Sequence, residues 1–220
     1  MQVALLGGTG DIGEGLALRL ARDTDHEVVI GSRKAEKARD AAADYESVLA
    51  DHGVDATIGA AENPEATAGA DVVVLSVPAY HLADTVESVA DDLSGVLVSP
   101  AVGLQRDDAG LHYNPPGVGS VTALAAQAAP DEVPVVGAYH NLAAGRLANL
   151  DADLDWDVPV VADDEDAKAT VTDLTDEVDG LRALDAGPLA NAAEVESLTP
   201  LLINLAANNE GLHDLGTKFW

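Results

Sequence analysis

The chain contains no cysteine, which removes disulfides, thiolate metal sites and thiol nucleophiles from its chemistry. Aromatic residues are few, and none of the four tyrosines is followed four positions later by a lysine. Tyr45, Tyr80, Tyr113 and Tyr139 have Leu49, Asp84, Gly117 and Ala143 in that place, so the Tyr–Lys proton-donor pair of short-chain dehydrogenases is absent. There is no Walker loop and no Ser/His/Asp arrangement. His26, His52, His81, His112 and His213 lack metal-ligand spacing and read as surface residues. No apolar run approaches the length of a membrane span. Basic side chains are scarce, 11 against 39 acidic ones for a formal charge of −28, which argues against nucleic acid or an anionic membrane as partner.

Such a charge opposes compaction by self-repulsion unless salt screens it. With 47% hydrophobic residues there is enough apolar surface for a core, which argues against disorder. A soluble halophilic enzyme of a salt-rich cytoplasm is the expectation. The first residues already read as a strand, so no secretion leader is expected.

That strand is followed at once by glycines: Val3-Ala4-Leu5-Leu6-Gly7-Gly8-Thr9-Gly10-Asp11-Ile12-Gly13. The spacing Gly8-x-Gly10-x-x-Gly13, between an apolar strand and a helical pattern, is the dinucleotide-binding fingerprint in its proper setting. Gly8 serves the tight turn, Gly10 lets backbone approach a pyrophosphate, and Gly13 lets the helix lie close to the strand. Phosphate is expected on the free N–H groups of a helix beginning near Asp11. Ile12, Leu16 and Leu20 give that helix its buried face. The plainer reading is a glycine-rich turn that binds nothing.

The second strand, Glu27–Ile30, ends in Gly31-Ser32-Arg33. An NAD-selective site places a carboxylate here for the ribose 2′-hydroxyl, whereas an NADP site surrounds a phosphate with basic groups. The acid is missing, and Ser32, Arg33 and Lys37 offer a hydroxyl, a guanidinium fork and an ammonium to a dianion. The competing reading makes Ser32 a helix N-cap and the bases solvated charges. Three of the 11 basic side chains nevertheless fall between positions 33 and 37. That concentration favours NADP.

Further strand-like runs stand at Ala56-Thr57-Ile58, 71–78, 95–100, 133–139, 158–162 and 181–185. Helical stretches lie between them, one over 165–178, and a long closing helix is expected over about 192–209. The alternation predicts an α/β protein of Rossmann type: a doubly wound, mainly parallel sheet with a short C-terminal helical segment. Ligands of such sheets bind beyond the strands' carboxyl ends. There the sequence places Ser76-Val77-Pro78, Ser99-Pro100-Ala101-Val102 and His140-Asn141-Leu142-Ala143-Ala144, small or apolar apart from one histidine. Such a lining suits a stacked flat ring and not an acid–base centre.

Several motifs are far more specific than the glycine fingerprint. They are Arg146-Leu147-Ala148-Asn149-Leu150, Asp155-Trp156-Asp157-Val158-Pro159-Val160, Asp179-Gly180-Leu181-Arg182 running on to Leu184-Asp185-Ala186-Gly187-Pro188-Leu189, and Val195-Glu196-Ser197-Leu198-Thr199-Pro200-Leu201. Together with the opening turn and Gly31-Ser32-Arg33, they make nearly the whole chain resemble the archaeal F420-dependent NADP oxidoreductases. The resemblance implies reversible hydride transfer between NADP(H) and the deazaflavin coenzyme F420. Thr9 to Ile12, Ser32, Arg33 and Lys37 would then hold the phosphates of NADP, and Val77, Val102, Ala144 and Leu215 would line its nicotinamide end. The deazaflavin would stack near His140 and the Gly187-Pro188-Leu189 turn. By the same resemblance the chain is a homodimer, with residues 1–186 as the NADP-binding domain and 187–220 completing the deazaflavin pocket and the dimer interface. Two departures stand out: Asp11 replaces an uncharged polar residue, and Asn141-Leu142-Ala143 lacks a proline often found after the histidine. The rivals are a reductase of another acceptor, such as a metal chelate or an imine, and a non-catalytic NADP-sensing module.

Overall fold

The computed structural model describes residues 1–220. The chain opens as β1 (Gln2–Leu6), α1 (Asp11–Asp23), β2 (Glu27–Ser32), α2 (Ala35–Asp51), β3 (Gly59–Glu62), α3 (Asn63–Thr67), β4 (Val72–Leu75), α4 (Leu82–Val89) and β5 (Val96–Ser99). A hairpin follows, β6 (Leu104–Asp107) and β7 (Gly110–Tyr113), then α5 (Val121–Ala128), β8 (Val135–Gly137), α6 (Ala144–Ala148), β9 (Trp156–Ala162), α7 (Glu165–Asp176) and β10 (Leu181–Asp185). Two helices close it, α8 (Ala192–Glu196) and α9 (Leu198–Asn208). No helix is long and apolar enough to cross a membrane.

Eight strands form one sheet in the order β10-β9-β8-β5-β4-β1-β2-β3. Every neighbouring pair is parallel except β8 and β9. The last two strands therefore extend the same sheet, as the sequence suggests, but run against the others. In β1 the period of two sorts the side chains between the layers. Val3 and Leu5 join Leu16, Leu20, Ile30, Leu49 and Val171 on one side. Ala4 and Leu6 join Leu75, Leu82, Val86, Leu97 and Val121 on the other. Both faces are covered, which is why the central strands read as unbroken apolar runs. Each fully buried leucine contributes about 1.5–3 kcal/mol.

Two expectations shift. The strand expected at Ala56-Thr57-Ile58 begins instead at Gly59. Ile58 gives its N–H to the Glu46 carboxylate (2.8 Å), while the weak strand formers Gly59 to Glu62 pair with β2. The closing helix expected over 192–209 breaks at Ser197. The carbonyl of Glu196 would need the N–H of residue 200 to continue it, and Pro200 has none.

Candidate active site

The glycine turn lies beyond β1, between strand and helix. The left-handed backbone falls on Gly7 (φ +73°), where a side chain would also strike Val77 Cγ1 at 2.6 Å. Gly13 lies so close beneath Gly8 that an added Cβ would come within 2.5 Å of its Cα. Gly10 differs. An added Cβ would meet nothing in the chain closer than Gly7 O at 3.5 Å, and Gly10 faces a cavity of about 890 Å³. That is the geometry of a glycine that admits ligand backbone contact. No side chain caps α1, which starts at Asp11, so its first N–H groups stay available to a phosphate.

The same cavity is lined by Thr9, Ser32, Arg33, Lys34, Lys37, Asn63, Ser76 and Val77. It therefore gathers the sequence-expected Thr9, Gly10, Ser32, Arg33, Lys37 and Val77. The N-cap reading of Ser32 fails, because α2 begins three residues later behind Lys34, with no side-chain cap bond. Gly8 and Gly13 sit behind the turn, and Asp11 and Ile12 lie on the first turn of α1 outside this lining. Sequence reasoning passed over Asn63 and, from α4 and its approach, His81, Asp84, Thr85 and Ser88, which form the opposite wall. His81 is thus no idle surface residue.

A second cavity, about 300 Å³, opens beyond β8. Its walls are His140 to Ala144, then Thr199, Leu202, Ile203 and Ala206 from α9, then Asp214 and Leu215 from the C-terminal tail. Of the residues singled out in the sequence, His140, Ala144 and Leu215 line this cavity. Val102 follows β5, between the strands bearing the two cavities, and belongs to neither lining. Gly187, Pro188 and Leu189 do not join His140. Because β9 and β10 run opposite to β8, the chain after β10 heads away from His140: Gly187 O accepts from the Ala162 N–H, level with Val136, and Leu189 packs toward the layer of α5. Placing that turn in the ring pocket is corrected by the strand direction.

The second cavity is assembled by long-range ties. Asp157, fully buried, accepts two hydrogen bonds from Arg182 (2.8 and 2.7 Å) and one from the Phe219 N–H (2.6 Å). The Arg182 bond and these neighbours hold its carboxyl down at about 2. Asn141 Nδ2 donates to Asp157 O and Thr217 Oγ1, each at 2.7 Å. The tail is thereby strapped across Trp156, with Leu215 in the cavity wall. Gly216 lies against the Trp156 indole so closely that a Cβ would meet Nε1 at 2.1 Å. Beneath, Arg19 of α1 donates to the carbonyls of Leu147, Asn149 and Ala152 at 2.7–2.9 Å. That bonding closes the short helix α6 and accounts for the Arg146–Leu150 pattern.

His140 stands on a strained backbone step, since Tyr139 before it has φ +68° while buried. Strain of that kind costs roughly 1–3 kcal/mol and persists where surroundings over-determine it. His140 is 3% exposed, and burial pushes its pKa down to about 3, so the ring is neutral at physiological pH. Asn63 Oδ1, Ser76 Oγ, Ser99 Oγ, His140 Nδ1 and Asn141 Oδ1 are all buried without a hydrogen-bond partner. Each follows or ends a strand at the carboxyl edge. Unpaired buried polar groups cost about 1–3 kcal/mol apiece, and their gathering along one edge marks where polar ligand atoms fit.

A doubly wound sheet, a glycine turn and a basic cavity at its carboxyl edge define a Rossmann-type dinucleotide-binding protein. The chain belongs to the F420-dependent NADP reductase family. The family described as "NADP oxidoreductase coenzyme F420-dependent" matches residues 2–103. The F420-dependent NADP reductase of Methanocaldococcus jannaschii is 40% identical over 208 residues, 93% of this chain and 92% of that protein. Its namesake from Methanothermobacter thermautotrophicus is 38% identical, covering 95% and 90%. Among solved structures, a putative F420-dependent NADP reductase from Arthrobacter sp. FB24 superposes with a TM-score of 0.81 at 26% identity, covering 100% of this chain and 99% of that one.

Proposed function

We propose that this chain catalyses reversible hydride transfer between NADP(H) and the deazaflavin coenzyme F420. The observation that carries the reading is the pair of unlike cavities on one sheet edge, one basic and glycine-floored, the other apolar and closed by α9 and the tail. Adjacent strands lie about 4.8 Å apart. A dinucleotide with its 2′-phosphate at Ser32, Arg33 and Lys37 therefore reaches past Val77 and Val102 toward Ala144. The hydride chemistry belongs to the two ring systems, both of them substrates. The protein's share is to hold the rings face to face and exclude water.

The residues fit that share. Gly10 and the first N–H groups of α1 receive the pyrophosphate. Leu202, Ile203 and Leu215 give aliphatic surface to a flat ring. Neutral His140 contributes a hydrogen-bonding edge without a mobile proton. In this reading residues 1–186 hold NADP, while 187–220 contribute α9 and the tail to the ring pocket. Leu201 and Leu205, one turn apart on α9, remain exposed and form the contact of a two-fold homodimer, which scattering mass in high salt reports. The acidic surface fits a halophilic enzyme working in a salt-rich cytoplasm.

The deciding experiment is an anaerobic spectrum of NADPH, enzyme and purified deazaflavin, repeated with deuterium on one face of C4 of NADPH. The label should appear in the reduced deazaflavin. Wash-out into water, or oxidation of NADPH that ignores the deazaflavin and needs a metal chelate or imine, overturns the reading. Binding of NADP without any turnover favours a sensor.

A further inference from the structure

The carboxylate of Glu196 is fully buried and makes four hydrogen bonds, none of them to a cation. Its Oε2 accepts from Tyr113 OH (2.8 Å) and Val121 N–H (3.0 Å), and its Oε1 from Thr122 N–H and Thr122 Oγ1, both at 2.9 Å. The charge lies at the N-terminus of α5, where free N–H groups and the helix dipole favour it. The same Thr122 hydroxyl is 3.3 Å from His140 Nε2, while His140 Nδ1 has no partner.

We infer that Glu196, acting through Thr122, fixes His140 as the Nε2–H tautomer and leaves Nδ1 as the free acceptor of a ring whose residue lines the second cavity. A carboxylate only accepts, so the single hydroxyl proton of Thr122 goes to Glu196. The Thr122 oxygen then has lone pairs alone to offer His140, and Nε2 must carry the ring proton. The opposite tautomer sets two lone pairs against each other at Nε2 and buries an N–H at Nδ1 without an acceptor. Glu196 and Thr122 are thus positioning residues. The recognition half of this inference rests on the second cavity taking the deazaflavin: the group that meets His140 is an N–H or O–H donor on the ring, and an acceptor there is rejected. Thr199, whose hydroxyl donates to the His140 carbonyl, holds the backbone while Glu196 orients the ring's chemistry.

The test begins on the ligand-free protein. Long-range ¹H–¹⁵N correlation of the histidine rings near neutral pH, with His140→Asn for assignment, should show Nε2 protonated and Nδ1 bare in the wild type. Thr122→Val removes the relay hydroxyl while the two backbone donors to Glu196 remain, and the Nδ1–H form should rise to a comparable share. Thr122→Ser should restore the wild-type signature. In turnover, Thr122→Val should raise the KM for the deazaflavin several-fold and leave the KM for NADPH unchanged, with Thr122→Ser near wild type. A wild-type ring protonated at Nδ1, or a Thr122→Val ring that keeps the wild-type signature, overturns the relay; the wild-type measurement needs no variant to fold. A shifted tautomer with unchanged KM overturns the recognition half. Absence of turnover in the wild type would count against the proposed reaction while the ring measurement still decides the relay.

Discussion

The two cavities sit on the same edge of one sheet and are built in opposite ways. The basic cavity draws Gly7, Thr9 and Gly10 from one turn and Ser32, Arg33, Lys34 and Lys37 from the next, each set a few residues long. The apolar cavity needs the loop after β8, one face of α9 and the tail beyond residue 209, brought together by Asp157, Asn141 and Glu196. Two short turns supply the glycines and every Lys and Arg of the first, with only its far wall coming from residues 63–88, whereas tertiary bonds between distant segments make the second. The second is therefore the more fragile, and a lesion far from its wall should open it while the first still binds.

The largest effect expected tests that asymmetry directly. Asp157→Ala removes the buried carboxylate that anchors Arg182 and Phe219. The loss should fall below the about 3–5 kcal/mol of breaking a fully buried pair, since Arg182 is half exposed and can hydrate. Chemical denaturation measures that loss. Affinity for the deazaflavin should collapse with the tail released, and NADP titration of the folded variant should stay within about two-fold of wild type. Parallel loss of both ligands would mean that the cavities are not independently built. The converse lesion is Arg33→Ala. It should cost about 1.5–3 kcal/mol of NADP binding, the range for hydrogen bonds to a charged group, while NAD and the deazaflavin bind as before. Equal losses for NADP and NAD would assign Arg33 to the fold.

Legibility followed the same division. The glycine turn and Gly31-Ser32-Arg33 could be read because each function is written in adjacent residues, and the parallel strands because both their faces are buried. Val77, Ala144 and Leu215 came from resemblance and landed in two cavities, since β5 separates β4 from β8. Gly187-Pro188-Leu189 was misplaced because strand direction is not encoded in the motif; only the antiparallel step at β8–β9 decides it. The β6–β7 hairpin went unread because β6 is exposed throughout and has no inward-facing pattern. Its signal was the turn, where Asp107 Oδ1 accepts the Ala109 N–H (2.8 Å) and Gly110 sits at φ +134°. Glu196 stood in the specific run Val195–Leu201, but its role was not legible there, since nothing local distinguishes a carboxylate that caps a helix 75 residues away.

A pH series separates the cavities by a smaller margin. Burial pushes His140 from 6.5 to about 3. Above pH 6.5 the ring is neutral in both folded and unfolded chains and contributes nothing to the pH dependence. Between 6.5 and about 3 the unfolded chain takes up a proton that the folded chain refuses, so stability falls as pH falls. The slope approaches about 1.4 kcal/mol per pH unit, for a loss of about 2 kcal/mol from pH 7 to 5. Asp157, held down at about 2 by Arg182, adds its own loss only below its ordinary 3.8. Denaturation of wild type and His140→Asn across pH 5–7 should give curves that diverge by that amount. Parallel curves would show that the ring is not buried in solution.

Salt should produce the smallest separation, and it isolates the basic cavity from the acidic field around it. The whole chain carries −28, so raising KCl relieves self-repulsion and should raise Tm for wild type and variants alike. NADP binding feels two opposed influences, since screening weakens attraction to Arg33 and Lys37 and also weakens repulsion by the acidic surface. The difference between wild type and Arg33→Ala removes the second influence, because both proteins share that surface. What remains is a contact between exposed charges, whose screening length shrinks from about 10 Å at 0.1 M to about 3 Å at 1 M. The wild-type advantage in NADP affinity should therefore narrow by several-fold over that range, while the same variant shows no salt-dependent difference in deazaflavin affinity. An advantage that holds constant would place Arg33 in a desolvated clamp. An advantage that grows with salt would remove it from the phosphate site altogether.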